Sequence, residues 1–310
     1  MRYVAFNVII DDIVFPDGRT KMGVLGGGGP QAAFGMRLWS NSVSLVASAG
    51  SDFPPSARAS LEALKINLDE LNDQGMQTPR AWQVMEEDGR RTEIWRIPKY
   101  VIKASLGCDW TRVPIGLRNA NAFHLCMEPL KPSYEFLEAV QAHGSVVSVE
   151  TSELAARQVT QEELTRFVRC VDVFSPNIAE AESMLGHAAP EELIARFIDS
   201  GANLVALRMG AEGALVAEAK TNKMVHVPAV ETSVVDPIGA GNAFCGGFLV
   251  GWCETGDLET AGMYGAVSAS FLVEQIGLPL YSGELLEEAQ RRLDAIRSKL
   301  EVCSLPSIER

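Results

Sequence analysis

Short apolar runs alternate with stretches of helical period along nearly the whole chain. Tyr3 to Ile9, Val43 to Ala47, Ala122 to Cys126, Val146 to Val149, Val171 to Phe174 and Leu204 to Leu207 are rich in β-branched and aromatic residues. These runs predict buried strands. Between them, Pro30 to Trp39, Ser56 to Leu64, Ser133 to Ala142, Glu162 to Cys170, Ala179 to Leu185 and Glu191 to Ser200 carry one apolar stripe each and predict helices. Strand and helix in repeated alternation imply an α/β class with a mostly parallel sheet, right-handed crossovers and helices on both faces. Two hairpin-like strands around Ala214 to Ala217 and Lys223 to Val227 follow, then long helices. No internal repeat or linker interrupts the pattern, so residues 1–310 are expected to form a single domain.

Two segments depart from it. Ile13 to Val24 carries Asp17-Gly18, and Trp82 to Arg96 carries Asp88-Gly89, each an Asp-Gly turn between short alternating runs. Paired, these hairpins would make a small β lid from about residues 12–25 and 81–98, over the carboxyl ends of the main strands. Two edge hairpins with no covering role are the other reading.

Composition narrows the function classes. The chain is 47% apolar and 22% charged, with a formal charge of −13 and a pI near 4.9. It can bury a large core, and its field repels nucleic acid and anionic lipid. The six cysteines lie far apart without a CxxC pair, and only four histidines are present. Reduced, mostly buried thiols are expected, rather than a zinc site or disulfides. No apolar run approaches the ~18 residues of a membrane span and no secretory pattern follows Met1, so a soluble cytoplasmic protein is expected.

Candidate chemistry sits at three glycine- or cap-rich joints. In Val234 to Phe248 an apolar strand end meets Gly239-Ala240-Gly241-Asn242 and a helical run. Glycines there let backbone amides converge at a helix N-terminus, where the dipole adds positive potential: an anion hole. No Lys-Ser or Lys-Thr follows, which excludes a Walker loop. Phe244 stands where a dinucleotide fingerprint needs its third glycine, and no Gly-x-Gly-x-x-Gly follows the first strand, which weighs against a dehydrogenase. Gly26 to Gln31 opens a helix at Pro30 and admits close approach of a ligand or, alternatively, a flexible turn. Asn177 and Glu180 lie one helical turn apart after a strand; they could hold hydrated magnesium or phosphate, or simply cap a helix.

Together these clusters resemble the pfkB carbohydrate kinase family, also called ribokinase-like. Asp236 to Phe244 is similar to its C-terminal signature, Gly26 to Gln31 to its N-terminal Gly-Gly signature, and Asn177 to Glu180 to its Asn-x-x-Glu motif. Leu207 to Gly213 resembles the strand and turn that flank ATP, Asp11 the residue that grips sugar hydroxyls, and Ala49 to Asp52 a Gly-x-Asp turn near the substrate. The resemblance implies a Rossmann-like three-layer α/β/α sandwich with a β lid and an ATP- and Mg²⁺-dependent kinase of a sugar or nucleoside. It assigns catalysis to Gly239, Ala240, Gly241 and the residue at 242. Substrate would meet Asp11, Gly27, Gly28 and Gln31. ATP would meet Asn177, Glu180, Arg208, Gly210, Gly213 and Asp236, with Glu180 toward the metal. By the same analogy Gly262 to Val273 and Val225 to Pro228 wall the adenine, with plain apolar packing as the alternative, and lids pair into a homodimer.

Several positions depart from the pattern. The base of the signature is Asn242, as in a divergent subgroup of the family, and an amide takes no proton. Solvent, phosphate, Asp11, Asp12 or Asp236 are the expected replacements; a binding protein without catalysis is the alternative. Phe6 stands for a first-strand glycine, Gln31 for an asparagine and Ile238 for the signature threonine. On the second hairpin Arg90, Arg91 and Arg96 could meet an anionic substrate, or form a solvated face with Glu86, Glu87 and Glu93. Trp82, Val84, Ile94 and Trp95 there suggest one apolar face.

Overall fold

In a computed structural model of the chain, residues 1–306 are described apart from 70, 73, 74, 76 and 88–90. The chain opens with β1 (Tyr3–Phe6), β2 (Ile9–Val14), β3 (Thr20–Gly26), α1 (Gly28–Trp39), β4 (Val43–Ser48), α2 (Pro55–Ala63) and β5 (Leu71–Asn72). Then come β6 (Arg80–Met85), β7 (Arg91–Trp95), α3 (Lys99–Leu106), β8 (Ala122–Met127), α4 (Tyr134–Ala142), β9 (Val146–Thr151) and α5 (Gln161–Val168). The second half runs β10 (Val173–Phe174), α6 (Ile178–Leu185), α7 (Pro190–Asp199), β11 (Leu204–Arg208), β12 (Ala214–Glu218) and β13 (Lys223–Val227). It ends with α8 (Ala240–Thr255), α9 (Leu258–Val273), α10 (Gly283–Arg297) and β14 (Glu301–Ser304). The six expected helices all form, within a few residues of their predicted ends.

One ten-stranded sheet has the order β14-β13-β12-β11-β10-β9-β8-β1-β4-β5. Pairing is parallel from β5 through β11 and antiparallel from β11 to β14. Side-chain alternation along each strand feeds two cores. Tyr3 and Ala5 of β1 pack with α1, α2, α8, α9 and α10, while Val4 and Phe6 pack with α4 to α7. This is the three-layer α/β/α sandwich. Phe174 sits in the second core, with the rings of Phe167 and Phe197 edge-on at 5.4 and 5.1 Å. Phe174→Ala is expected to cost about 3–5 kcal/mol, read as a shift in urea midpoint at unchanged slope.

The expected first strand, Tyr3 to Ile9, is two strands. Asn7 adopts a left-handed backbone with φ 72°, which Asn tolerates better than most residues, and its amide donates to the Leu106 carbonyl at 3.1 Å. The chain therefore leaves the main sheet after Phe6 and enters a second one. That sheet has the order β3-β2-β6-β7: two antiparallel hairpins joined by parallel β2 and β6. It is the lid. Asp17 and Gly18 lie in its first turn, where the Asp17 carboxylate accepts the Arg19 backbone N–H at 3.0 Å. Asp88, Gly89 and Arg90, and the side chain of Arg91, lie outside the described residues.

The lid is not apolar on a single face. Trp82 pairs with Ile94 and Ala81 with Trp95, so Trp95 lines the cleft below together with Gln83 and Glu93, whereas Trp82 and Ile94 do not. On the outer side Asp12 is buried and takes Arg80 Nε and Nη2 at 2.7 and 2.8 Å, besides Arg96. Arg96 is thereby committed to Asp12 and lies outside the cleft lining, away from any substrate held there.

Packing of small residues positions the rest of the site. A Cβ on Gly35 of α1 would fall 2.1 Å from the Ala243 carbonyl oxygen, and one on Gly246 of α8 would fall 2.1 Å from that of Ala32. The two helices therefore touch backbone to backbone, which brings their N-termini together. The thiols number one buried, four half-buried and one exposed, and all six are free; burial is less complete than composition suggested. No helix among the described residues is long and apolar enough to cross a membrane.

Candidate active site

A cleft of about 1010 Å³ lies between the inner face of the lid, the carboxyl ends of β1, β8 and β9, and the starts of α1, α6 and α8. One end is the start of α8. Gly239, at φ 83°, caps α8 with no side-chain cap bond and no acidic residue in the first turn among the described residues, and the Ala240 N–H donates to the Pro237 carbonyl at 3.3 Å. The positive end of the helix dipole thus faces the cleft. Asp236 shapes the turn by accepting the Ile238 N–H at 3.0 Å. Arg208, at the end of β11, lies over the turn: a Cβ on Gly241 would stand 1.8 Å from its Nη1. Its guanidinium also donates to the Ser175 carbonyl at 2.8 Å and faces Glu150 at 3.2 Å and Glu180 at 3.4 Å. Its buried Nε has no hydrogen-bond partner among the described residues.

Asn177 and Glu180 cap a helix. They form a reciprocal capping box on α6, with the Glu180 N–H donating to the Asn177 side-chain Oδ1 at 2.9 Å and the Asn177 N–H to the Glu180 carboxylate at 2.7 Å. Both also line the cleft. Burial raises the Glu180 carboxyl above its usual range, with Arg208 partly opposing. A cleft-lining carboxylate beside an amide is a hard oxygen donor set that fits Mg²⁺, so the residues present suit that ion.

At the other end lie Asp11, Gly27, Gly28 and Gln31. Asp11 lines the lid side and accepts the Gln83 amide at 2.9 Å; the same amide reaches Glu93 at 2.9 Å. Gly27, Gly28 and Gln31 line the floor. Gln31 is buried and its Oε1 has no partner.

Between the two ends is a cluster that sequence reasoning missed. Glu150, near the end of β9, takes His124 Nε2 at 3.2 Å and the Cys126 thiol at 3.1 Å, and it also takes the Asn242 amide. Burial pushes the Glu150 carboxyl up, but Arg208 and His124 outweigh it and hold it at about 2. Burial keeps Cys245 protonated, up to about 12. His124, Glu150 and Cys245 offer ligand atoms within 4.8 Å of one another. The protonated thiol and the adjacent Arg208 guanidinium disfavour a cation there. The available signal was a lone carboxylate directly after the apolar run Val146 to Val149.

Other expected contacts lie apart. Gly210, Gly213 and Asp236 do not line the cleft, and neither does Asp12. Asp52 instead binds Thr78 through its N–H at 2.8 Å and its hydroxyl at 2.7 Å. Val225 and Val227 are fully buried, and a Cβ on Gly262 would meet Val227 at 2.5 Å; this segment is packing here, not an open adenine wall.

Known proteins are similar in sequence and in fold. A cytidine kinase of Thermococcus kodakarensis is 27% identical over 275 residues, covering 87% of this chain and 95% of that protein. A Vibrio cholerae fructokinase, solved with fructose, ADP and calcium, superposes with a TM-score of 0.75 at 20% identity, over 95% of this chain and 98% of that one. A Xylella fastidiosa fructokinase with bound ATP gives 0.73 at 18% identity, over 95% and 98%. The profile of the pfkB family carbohydrate kinases matches residues 16–280. The signature joints, the sandwich with its lid and this match agree: the chain belongs to the pfkB family of carbohydrate kinases.

Proposed function

We propose that the protein transfers the γ-phosphoryl group of ATP to a hydroxyl of a sugar or nucleoside. The observation that carries this reading is one cleft with two chemically distinct ends, the Gly239 to Asn242 cradle under Arg208 facing Asp11 and Gln31. Phosphoryl transfer needs positioning and charge neutralisation more than covalent chemistry, and the cleft supplies both. Arg208 and the α8 amides would hold the polyphosphate. Glu180 and Asn177 would hold Mg²⁺, which neutralises charge on the phosphates when bound. Asp11, Gly27, Gly28 and Gln31 would hold the acceptor. The cytidine kinase and fructokinase relatives support both acceptor classes.

The test is ADP release from ATP and Mg²⁺ across a panel of nucleosides and sugars. Acceptor-dependent release is expected. Nucleotide binding with no acceptor-dependent release would instead mark a binding protein on this scaffold, the reading that Asn242 favours. Asp11→Asn removes a charged hydrogen-bond acceptor and is expected to raise the acceptor KM by about 10- to 100-fold. ATP binding, measured by calorimetry, should change less than about twofold, because Asp11 is at the other end.

A further inference from the structure

In the family pattern position 242 carries the carboxylate that takes the hydroxyl proton, and here it is an amide; the structure sets a different carboxylate against it. Glu150 is buried and lines the cleft. An ionised carboxylate only accepts, so Asn242 must present Nδ2 to it, and does so at Oε1. His124 adds a second contact: Nε2 donates to Glu150 at 3.2 Å, and Nδ1 lies 3.0 Å from the Ser148 hydroxyl. On the acceptor side only a glycine fits. A Cβ on Gly28 would stand 2.3 Å from Cys126 Sγ, 3.1 Å from Asn242 Nδ2 and 3.6 Å from Glu150 Oε1. The acceptor floor thus opens directly onto the Asn242–Glu150 pair. The alternatives are placed worse: Asp12 and Asp236 do not line the cleft, and Asp11 receives Gln83 on the lid.

Resting on the kinase reading above, we propose that Glu150 is the proton acceptor of the transfer, the carboxylate having moved from α8 to β9 while Asn242 became the donor that holds it. The acceptor hydroxyl enters over Gly28 and replaces the Cys126 thiol, the weakest donor to Oε1. Its O–H bond breaks and the proton goes to Glu150. The freed electron pair forms the bond to the γ-phosphorus, and the bond to the bridging oxygen breaks, that pair leaving on ADP beside Arg208. Arg208 and His124 keep Glu150 ionised for this step. A loose transition state asks for no stronger base.

The experiment compares Glu150→Gln, Asn242→Asp and the exchange variant E150Q/N242D, which returns the carboxylate to α8 and the amide to β9. E150Q is expected to lower kcat by ~10² to 10⁴. ATP affinity and acceptor KM should change by much less than kcat, although E150Q also removes one ion-pair partner of Arg208. The exchange is expected to restore at least about tenfold over E150Q. A purely structural Glu150 would instead lower ATP affinity and kcat and raise acceptor KM together in E150Q. Turnover that E150Q leaves within about threefold overturns this inference and leaves the kinase reading standing. No acceptor-dependent turnover in the unaltered protein overturns both. Where E150Q does not fold, the exchange variant carries the test because it keeps the net charge and the hydrogen bond; folded yet inactive, it overturns the inference.

Discussion

Gly241→Asp is expected to abolish nucleotide binding while the protein stays folded. The backbone at 241 is ordinary helix within α8, open to any L-residue, and an acidic residue in a first turn suits the dipole. The new side chain, however, starts where the Arg208 guanidinium lies, since its Cβ would fall 1.8 Å from Nη1. Its carboxylate would take Arg208 for itself and repel the phosphates. Affinity for ATP and ADP with magnesium should fall at least about 100-fold, roughly 3 kcal/mol, by calorimetry. A change below about threefold would place the phosphates elsewhere.

Arg208→Met should be the most destabilising single change in the site. The guanidinium is the shared partner of Glu150 and Glu180, 3.2 and 3.4 Å away, and both carboxylates are buried. Removing one partner of a buried pair leaves an uncompensated charge and costs about 3–5 kcal/mol. That corresponds to a fall in melting temperature on the order of 10 °C. The loss should depend on pH with a definite sign. The Glu150 carboxyl is held at about 2 in the folded chain, below an unfolded value of about 4.3. Its contribution is therefore full above the unfolded value and is lost as pH falls toward the folded one. In R208M that carboxyl rises instead, so acid protonates and relieves it. The gap in stability between the two proteins is expected to narrow as pH is lowered from about 7 to about 4, as read by urea denaturation at each pH. A gap independent of pH would show that Arg208 acts by packing alone.

Much of the fold is legible because its causes are local. Alternation at Val43 to Ala47, the single apolar stripe at Glu191 to Ser200 and the Asp-Gly turn at 17 and 18 report interactions between neighbours a few residues apart. The glycine turn that opens α8 is legible for the same reason, since Gly239, Gly241 and the start of α8 are contiguous. Asn7 is the instructive exception. Its run is apolar and strand-like, yet the left-handed turn is imposed by a carbonyl from Leu106, 99 residues away.

The sequence by itself determined the α/β sandwich, the lid hairpins, the glycine turn that opens α8 and the family, because periodicity, turn chemistry and contiguous motifs carry them. Only the tertiary structure decided which face of the lid looks into the cleft, that Arg96 belongs to Asp12, and which carboxylate stands beside Asn242. Glu150 and Asn242 are 92 residues apart. Their contact exists because β9 lies in the parallel sheet below the start of α8, and a hydrogen bond selects atoms by distance and direction in space, which no spacing along the chain records.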